Sequence, residues 1–206
     1  YMVIALLFFD LFRVFNHPVP YSYIISLLLT ACILGYGYYH YQHPATQVIN
    51  IDINKSLKNQ APTVKVVGIS DVHLGFGTTK KQLQDYVKMI NAQQPDIVII
   101  SGDLIDNSIT PVQRQKMEEE LSSLRAPMGI FMAPGNHEYI SGINDCITYI
   151  TQKTPIQFLR DSVVTLPNGI QIVGRDDNTN PSRKELSELI RQADPAYPII
   201  VLDHQP

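Results

Sequence analysis

Asp71, His73, Asp103, Asn136, His137 and His204 are the residues of this 206-residue chain whose types and placement could do chemistry. Each lies just beyond an apolar run: Val66-Val67-Gly68-Ile69, Ile97-Val98-Ile99-Ile100, Gly129-Ile130-Phe131-Met132-Ala133, and Ile199-Ile200-Val201-Leu202. The set offers carboxylate, amide and imidazole donors and no thiolate, which suits divalent Mn, Fe or Zn. Two such ions a few Å apart need one carboxylate that both can share. A pair of this kind lowers the pKa of a bridging water and clamps the attacking and leaving oxygens of a phosphoryl centre.

A buried strand has no use for a carboxylate or an imidazole within it. Each run must therefore stop and present its polar residues at the strand's C-terminal end, where open α/β sheets bind ligands. Strands are expected at 64–70, 97–101, 129–133 and 199–202. Between them lie helices with start signals. Thr79 and Gln82 have capping-box spacing before a helix to about Gln93, with Leu83, Tyr86, Val87 and Ile90 inward. Thr110 followed by Pro111 opens a helix to about Leu124 that buries Met117, Leu121 and Leu124, with Glu118, Glu119 and Glu120 on its solvated face. A helix near 142–151 buries Ile143, Cys146, Ile147 and Ile150. Two short strands flank the turn at Pro167-Asn168-Gly169, and a Ser182–Glu185 capping box opens a last helix with Leu186, Leu189 and Ile190 inward. Strands alternating with capped helices imply an α/β fold with a largely parallel sheet covered on both faces. The alternation of Ile49, Ile51 and Ile53 predicts a further, half-buried strand over 47–53, and residues 57–62 turn the chain toward the next one.

The N-terminal part has a different character. Residues 1–15 are apolar apart from Asp10 and Arg13, which are spaced to pair on a helix, and read as the end of a spanning helix. A tight polar connection at 16–20 leads into nineteen uncharged residues, Tyr21 to Tyr39, enough for roughly 28 Å of helix, about one hydrocarbon thickness. Tyr21 and Tyr23 at one end and Tyr36, Tyr38, Tyr39 and Tyr41 at the other have the placement of interfacial aromatic belts. Residues 1–43 are accordingly expected to form a membrane anchor of one truncated and one complete transmembrane helix, with a soluble domain over 44–206. His17, His40 and His43 are expected to be polar residues at the interface. Arg13 precedes the complete helix and no Lys or Arg follows it until Lys55, so the positive-inside tendency puts the soluble domain outside the cytoplasm in a multi-pass protein of the cell membrane.

The totals exclude some functions. A net charge of −3 gives no basic surface for nucleic acid. Cys32 and Cys146 have no Cys-x-x-Cys partner, so neither a structural disulfide nor a thiolate metal site is expected. No strand is followed by Gly-x-Gly-x-x-Gly, which removes a nucleotide-binding redox site. The chain starts with Tyr1 and closes on a strand end, as a fragment of a longer protein would.

Ser70-Asp71-Val72-His73-Leu74-Gly75, Gly102-Asp103-Leu104-Ile105-Asp106, Gly135-Asn136-His137-Glu138 and Leu202-Asp203-His204-Gln205-Pro206 resemble successive motifs of the calcineurin-like metallophosphoesterases. Gly174-Arg175-Asp176-Asp177 resembles a segment of the membrane-anchored bacterial branch. The resemblance implies a double β-sandwich flanked by helices, incomplete here and preceded by transmembrane helices. It implies two divalent ions, with Asp71 and His73 holding the first, Asp103 bridging, and Asn136 and His204 holding the second. His137 would act on the substrate as general acid or phosphate-stabilising group, oriented by Asp106. The implied activity is hydrolysis of phosphomono- or phosphodiesters by a metal-bound hydroxide, with a lipid-linked phosphoester as the substrate a membrane tether favours. The family's later Gly-His-x-His motif, one imidazole for each ion, is not among these residues, so this fragment is expected to bind metal poorly. Asp176 and Asp177 either line the cleft or sit in a solvent-facing turn. A membrane sensor that binds a phosphorylated ligand without turnover is the alternative, against which His137 and Asp106 argue.

Overall fold

A computed structural model describes residues 1–15, 19–55, 57–58 and 63–206, in two compact units, Tyr1–Asp52 and Ile53–Pro206. Part of the expected connection at 16–20, with His17, and most of the expected turn at 57–62 lie outside the described residues.

The first unit is helical. α1 (Met2–Val14) and α2 (Ser22–Gln42) pack against each other. Asp10 and Arg13 come within 3.7 Å on α1, as their spacing predicts. Among the described residues α2 is the one helix long and apolar enough to cross a membrane. α1, at 13 residues and so roughly 20 Å, falls short of spanning a bilayer. The strand expected over 47–53 does not form. Ile49, Ile51 and Ile53 are exposed by 70%, 74% and 52%, because an alternating run becomes a strand only where a neighbouring strand accepts its hydrogen bonds.

The second unit is two sheets face to face. β1 (Val66–Ile69), β2 (Ile97–Ser101), β3 (Ile130–Ala133) and β4 (Ile156–Phe158) form a parallel sheet in that order. β5 (Ser162–Thr165), β6 (Gln171–Gly174) and β7 (Ile199–Leu202) form the other, with β5–β6 antiparallel around the Asn168 turn and β6–β7 parallel. Ile97, Phe131, Ala133, Leu166, Ile172 and Leu202 are buried between the sheets. The other face of the parallel sheet carries α3 (Lys80–Ala92), α4 (Thr110–Arg114), α5 (Glu118–Leu121) and α7 (Ile143–Lys153), whose Leu83, Val87, Val112, Leu121, Cys146 and Ile150 meet Val98, Ile100, Ile130 and Met132. A short helix, α6 (Asn136–Ile140), follows β3, and α8 (Leu186–Ile190) precedes β7.

Three local expectations are corrected. The helix expected from 110 to 124 breaks between α4 and α5, where Lys116 takes φ +51°; Met117, Leu121 and Leu124 are buried nonetheless. Glu118–Glu120 are not a uniformly solvated face: Glu118 accepts the Tyr149 hydroxyl at 2.8 Å and Glu119 pairs with Lys80. The Ser182–Glu185 pair does not cap a helix. Asn180 Oδ1 accepts the Ser182 N–H, and the helix starts only at Leu186 with Glu185 as its cap. Thr79 and Gln82 do cap α3, through the Thr79 N–H to Gln82 Oε1 at 3.0 Å.

Candidate metal centre

The strand ends deliver their polar residues to one rim. Past β1 and β2 the pairing continues irregularly: the Asp71 N–H meets Gly102 O at 3.3 Å, His73 N–H meets Asp103 O at 3.0 Å, and Leu74 N–H meets Leu104 O at 2.8 Å. This ladder holds Asp71, His73 and Asp103 at φ +55°, +49° and +52°, left-handed conformations that non-glycine residues rarely adopt. Such outliers concentrate where a side chain has to be aimed. Asp71 and His73 leave one loop toward Asp103 and Asp106 on the next. β3 ends at Pro134-Gly135, and α6 starts at once with Asn136 and His137. β7 lies across the sandwich from β2 and brings His204 back to Ser101, whose carbonyl meets His204 Nδ1 at 2.8 Å.

Asp103 is the meeting point. Its Oδ2 lies 3.3 Å from His204 Nε2, 3.7 Å from His73 Nε2 and 4.0 Å from His137 Nε2. Its Oδ1 accepts the backbone N–H of His137 at 2.9 Å. The contacts of Oδ2 are longer than good N–H···O hydrogen bonds, so three imidazole nitrogens and a carboxylate converge without satisfying one another. That is the arrangement a cation completes. Two donor groups have atoms within 4.8 Å of one another: His73, Asp103 and His137, and Asp71, Asp103 and His204. Asp103 belongs to both. The two groups adjoin, since Asp71 Oδ1 and His73 Nε2 are themselves 3.9 Å apart.

Asp106 stands outside both groups but touches the centre, with Oδ1 3.0 Å from His137 Nδ1 and 3.5 Å from His73 Nδ1. The His73 and His137 rings meet edge to face at 4.4 Å. Asn136 lies beside His137 at the start of α6, and its Oδ1 accepts from Gln205 Nε2 at 2.9 Å. Burial works to lower the pKa of His204, but its hydrogen bond to Ser101 and the charges of Asp103, Asp71 and Asp177 outweigh this and raise it.

Sequence reasoning missed what holds the rim in place. Glu138, fully buried, accepts the N–H groups of Asp103 (2.9 Å), Gly135 (2.8 Å) and Ile105 (2.9 Å). Its position directly after Asn136 and His137 was the available signal. Asp176 and Asp177 are not in a solvent-facing turn: both are buried. Asp176 accepts from the Tyr139 hydroxyl, Arg160 Nε and Asn180 Nδ2 at 2.7 Å each. Those hydrogen bonds overcome the cost of burial and hold its carboxyl below the usual range.

The profile of the calcineurin-like phosphoesterases matches residues 64–206, which include every residue of this rim. An uncharacterized metallophosphoesterase of Campylobacter jejuni is 28% identical over 186 residues, covering 88% of this chain and 48% of that protein. One from Aquifex aeolicus is 26% identical over 185 residues, 87% of this chain and 69% of that protein. A Danio rerio protein described as a transmembrane protein with metallophosphoesterase domain is 31% identical over 117 residues, 56% of this chain and 26% of that protein. The chain thus spans about half the length of the first of these relatives.

Proposed function

The chain belongs to the calcineurin-like phosphoesterase family, and from that premise we propose that it is a membrane-tethered hydrolase of phosphate mono- or diesters that works with two divalent ions, Mn, Fe or Zn. The observation that carries the two-ion reading is the membership of Asp103 in both donor groups. Asp71 and His73 would hold one ion and Asn136 and His204 the other, with Asp103 available to both. The donor set of carboxylate, imidazole and amide fits such ions. When bound, they supply Lewis-acid polarisation of the phosphoryl oxygens and a water of lowered pKa. His137 serves the substrate: Asp106 Oδ1 stands 3.0 Å from its Nδ1 and positions the ring, so that Nε2 can deliver a proton to the departing oxygen.

The membrane part of the reading rests on α2 and on relatives described as transmembrane proteins. We read residues 1–43 as the anchor and the catalytic domain as extracytoplasmic. The tether favours phosphoesters carried by lipids. The test is release of p-nitrophenolate from bis(p-nitrophenyl) phosphate and p-nitrophenyl phosphate by the detergent-solubilised full-length protein. Release that requires Mn²⁺ and disappears in Asp103→Ala is expected. No release with Mn²⁺, Fe²⁺ or Zn²⁺, or release unchanged in Asp103→Ala, overturns the reading.

A further inference from the structure

Two arginines grip the segment that carries His204. The β6–β7 ladder runs one step beyond the Gly174–Leu202 pair, through the Arg175 N–H to Leu202 O at 3.0 Å, which sets Arg175 beside Asp203. The Arg175 side chain is 9% exposed. Its Nη1 donates to Asp203 Oδ2 at 3.0 Å and its Nε to the Lys184 carbonyl at 2.9 Å. Arg183 acts on the same segment: its Nη1 donates to the Gln205 carbonyl at 2.9 Å and lies 3.6 Å from Asp203 Oδ1. The residues before and after His204 are therefore both tied down, one by its carboxylate and the other by its backbone. Gln205 in turn reaches Asn136.

The grip has a physical purpose. Regular pairing stops at Leu202, and 203–206 has no regular structure of its own. A metal ligand must hold its place to about 0.5 Å. The Ser101 carbonyl orients the ring of His204 but does not hold the backbone that carries it. The Asp203 side chain is 7% exposed, and an unpaired carboxylate there would be costly, so the segment settles only where the guanidinium groups meet it.

We propose that Arg175 and Arg183 are positioning residues that preset His204 for its metal ion, so that they govern the affinity of that ion and leave the ion on the His73 side unaffected. This rests on the two-ion reading above. The test is calorimetric titration of Mn²⁺ into the detergent-solubilised full-length protein, wild type, Arg183→Met and Arg175→Lys, with circular dichroism to establish folding. Lys in place of Arg175 keeps the charge but loses the fork that spans Asp203 and Lys184. The full-length wild type is expected to carry the family's later Gly-His-x-His motif and to bind two Mn²⁺. In each variant one of the two affinities falls by about 10- to 100-fold, the scale of losing a partner that orients a ligand, and the other stays within about twofold. Should Arg175→Lys fail to fold, Arg183→Met decides, since that side chain is the more exposed at 14%. Equal weakening of both ions, or no change in either, overturns the positioning role while leaving the two-ion reading standing. Fewer than two Mn²⁺ in wild type removes the two-ion reading, and this inference with it.

Discussion

Glu138 Oε2 accepts the backbone N–H of Asp103 at 2.9 Å, tying the turn after β2 to the helix after β3 through one fully buried carboxylate. The same oxygen takes the Gly135 N–H and Oε1 takes that of Ile105. Burial pushes the Glu138 carboxyl above its usual range, against the pull of the three N–H bonds. The left-handed conformations of Gly102 (φ +81°) and Asp103 (φ +52°) thus have an external support, and the shared carboxylate is aimed by the backbone beneath it.

Glu138→Gln tests that support. The amide keeps the size but turns one acceptor oxygen into a donor that faces backbone N–H groups. A lost charge-assisted hydrogen bond and an unsatisfied buried donor together put the cost at about 2 to 4 kcal/mol. Urea unfolding in detergent should show a lower midpoint. Mn²⁺ titration should show weakened binding, because Asp103 loses its aim.

Gly135 has φ −114°, a conformation open to any residue, yet crowding leaves no room for a side chain. A Cβ there would come within 2.3 Å of Asp103 Oδ1, 2.6 Å of Asp103 N and 2.9 Å of His204 Cδ2. Gly135→Ala should therefore displace Asp103 or His204 and lower Mn²⁺ affinity by about 10-fold or more, with helix content unchanged by circular dichroism. Gly77→Ala, whose Cβ meets nothing within 4 Å, is the matched control and should bind Mn²⁺ as wild type does.

The strand-end residues were legible because burial makes a polar interruption conspicuous: Asp71, His73, Asp103, His137 and His204 all come to one rim. The β2 and β7 boundaries were legible for the same reason. Charged residues that support the rim were not. Arg175, Arg183 and Asp176 have the composition of a surface loop, and only the packing of the second sheet shows that they are buried or nearly so. The break at Lys116 carries no Gly or Pro to announce it. Ile49, Ile51 and Ile53 misled because alternation reports the readiness to pair and not the partner.

Cys146 offers a pH test away from the centre. Burial pushes its thiol up to about 11, against a hydrogen bond from Ser141 that favours the thiolate and with the charges of Glu138 and Asp145 adding to the rise. A folded-state value above the unfolded one contributes stability that is complete below the ordinary thiol value of 9.0 and is lost as pH rises toward 11. The Tm difference between wild type and Cys146→Ala should therefore shrink over that window and be constant below pH 8. At pH 8 a disulfide reagent should leave native Cys146 untouched and modify it on unfolding.

The last test concerns what His137 does with its proton. Asp106 Oδ1 is 3.0 Å from its Nδ1, and its Nε2 lies 4.0 Å from Asp103 Oδ2. If that nitrogen delivers a proton to the departing oxygen, its value depends on how much the leaving group needs one. A nitrophenolate leaves unaided; an alkoxide does not. His137→Gln should lower kcat for an alkyl phosphoester by about 10²- to 10⁴-fold, the range of general-acid catalysis, and far less for the p-nitrophenyl ester. Asp106→Asn, which keeps the size but removes the carboxylate beside Nδ1, should show the same inequality in smaller measure. Equal losses on the two substrates would mean that His137 acts only by holding the phosphate or an ion.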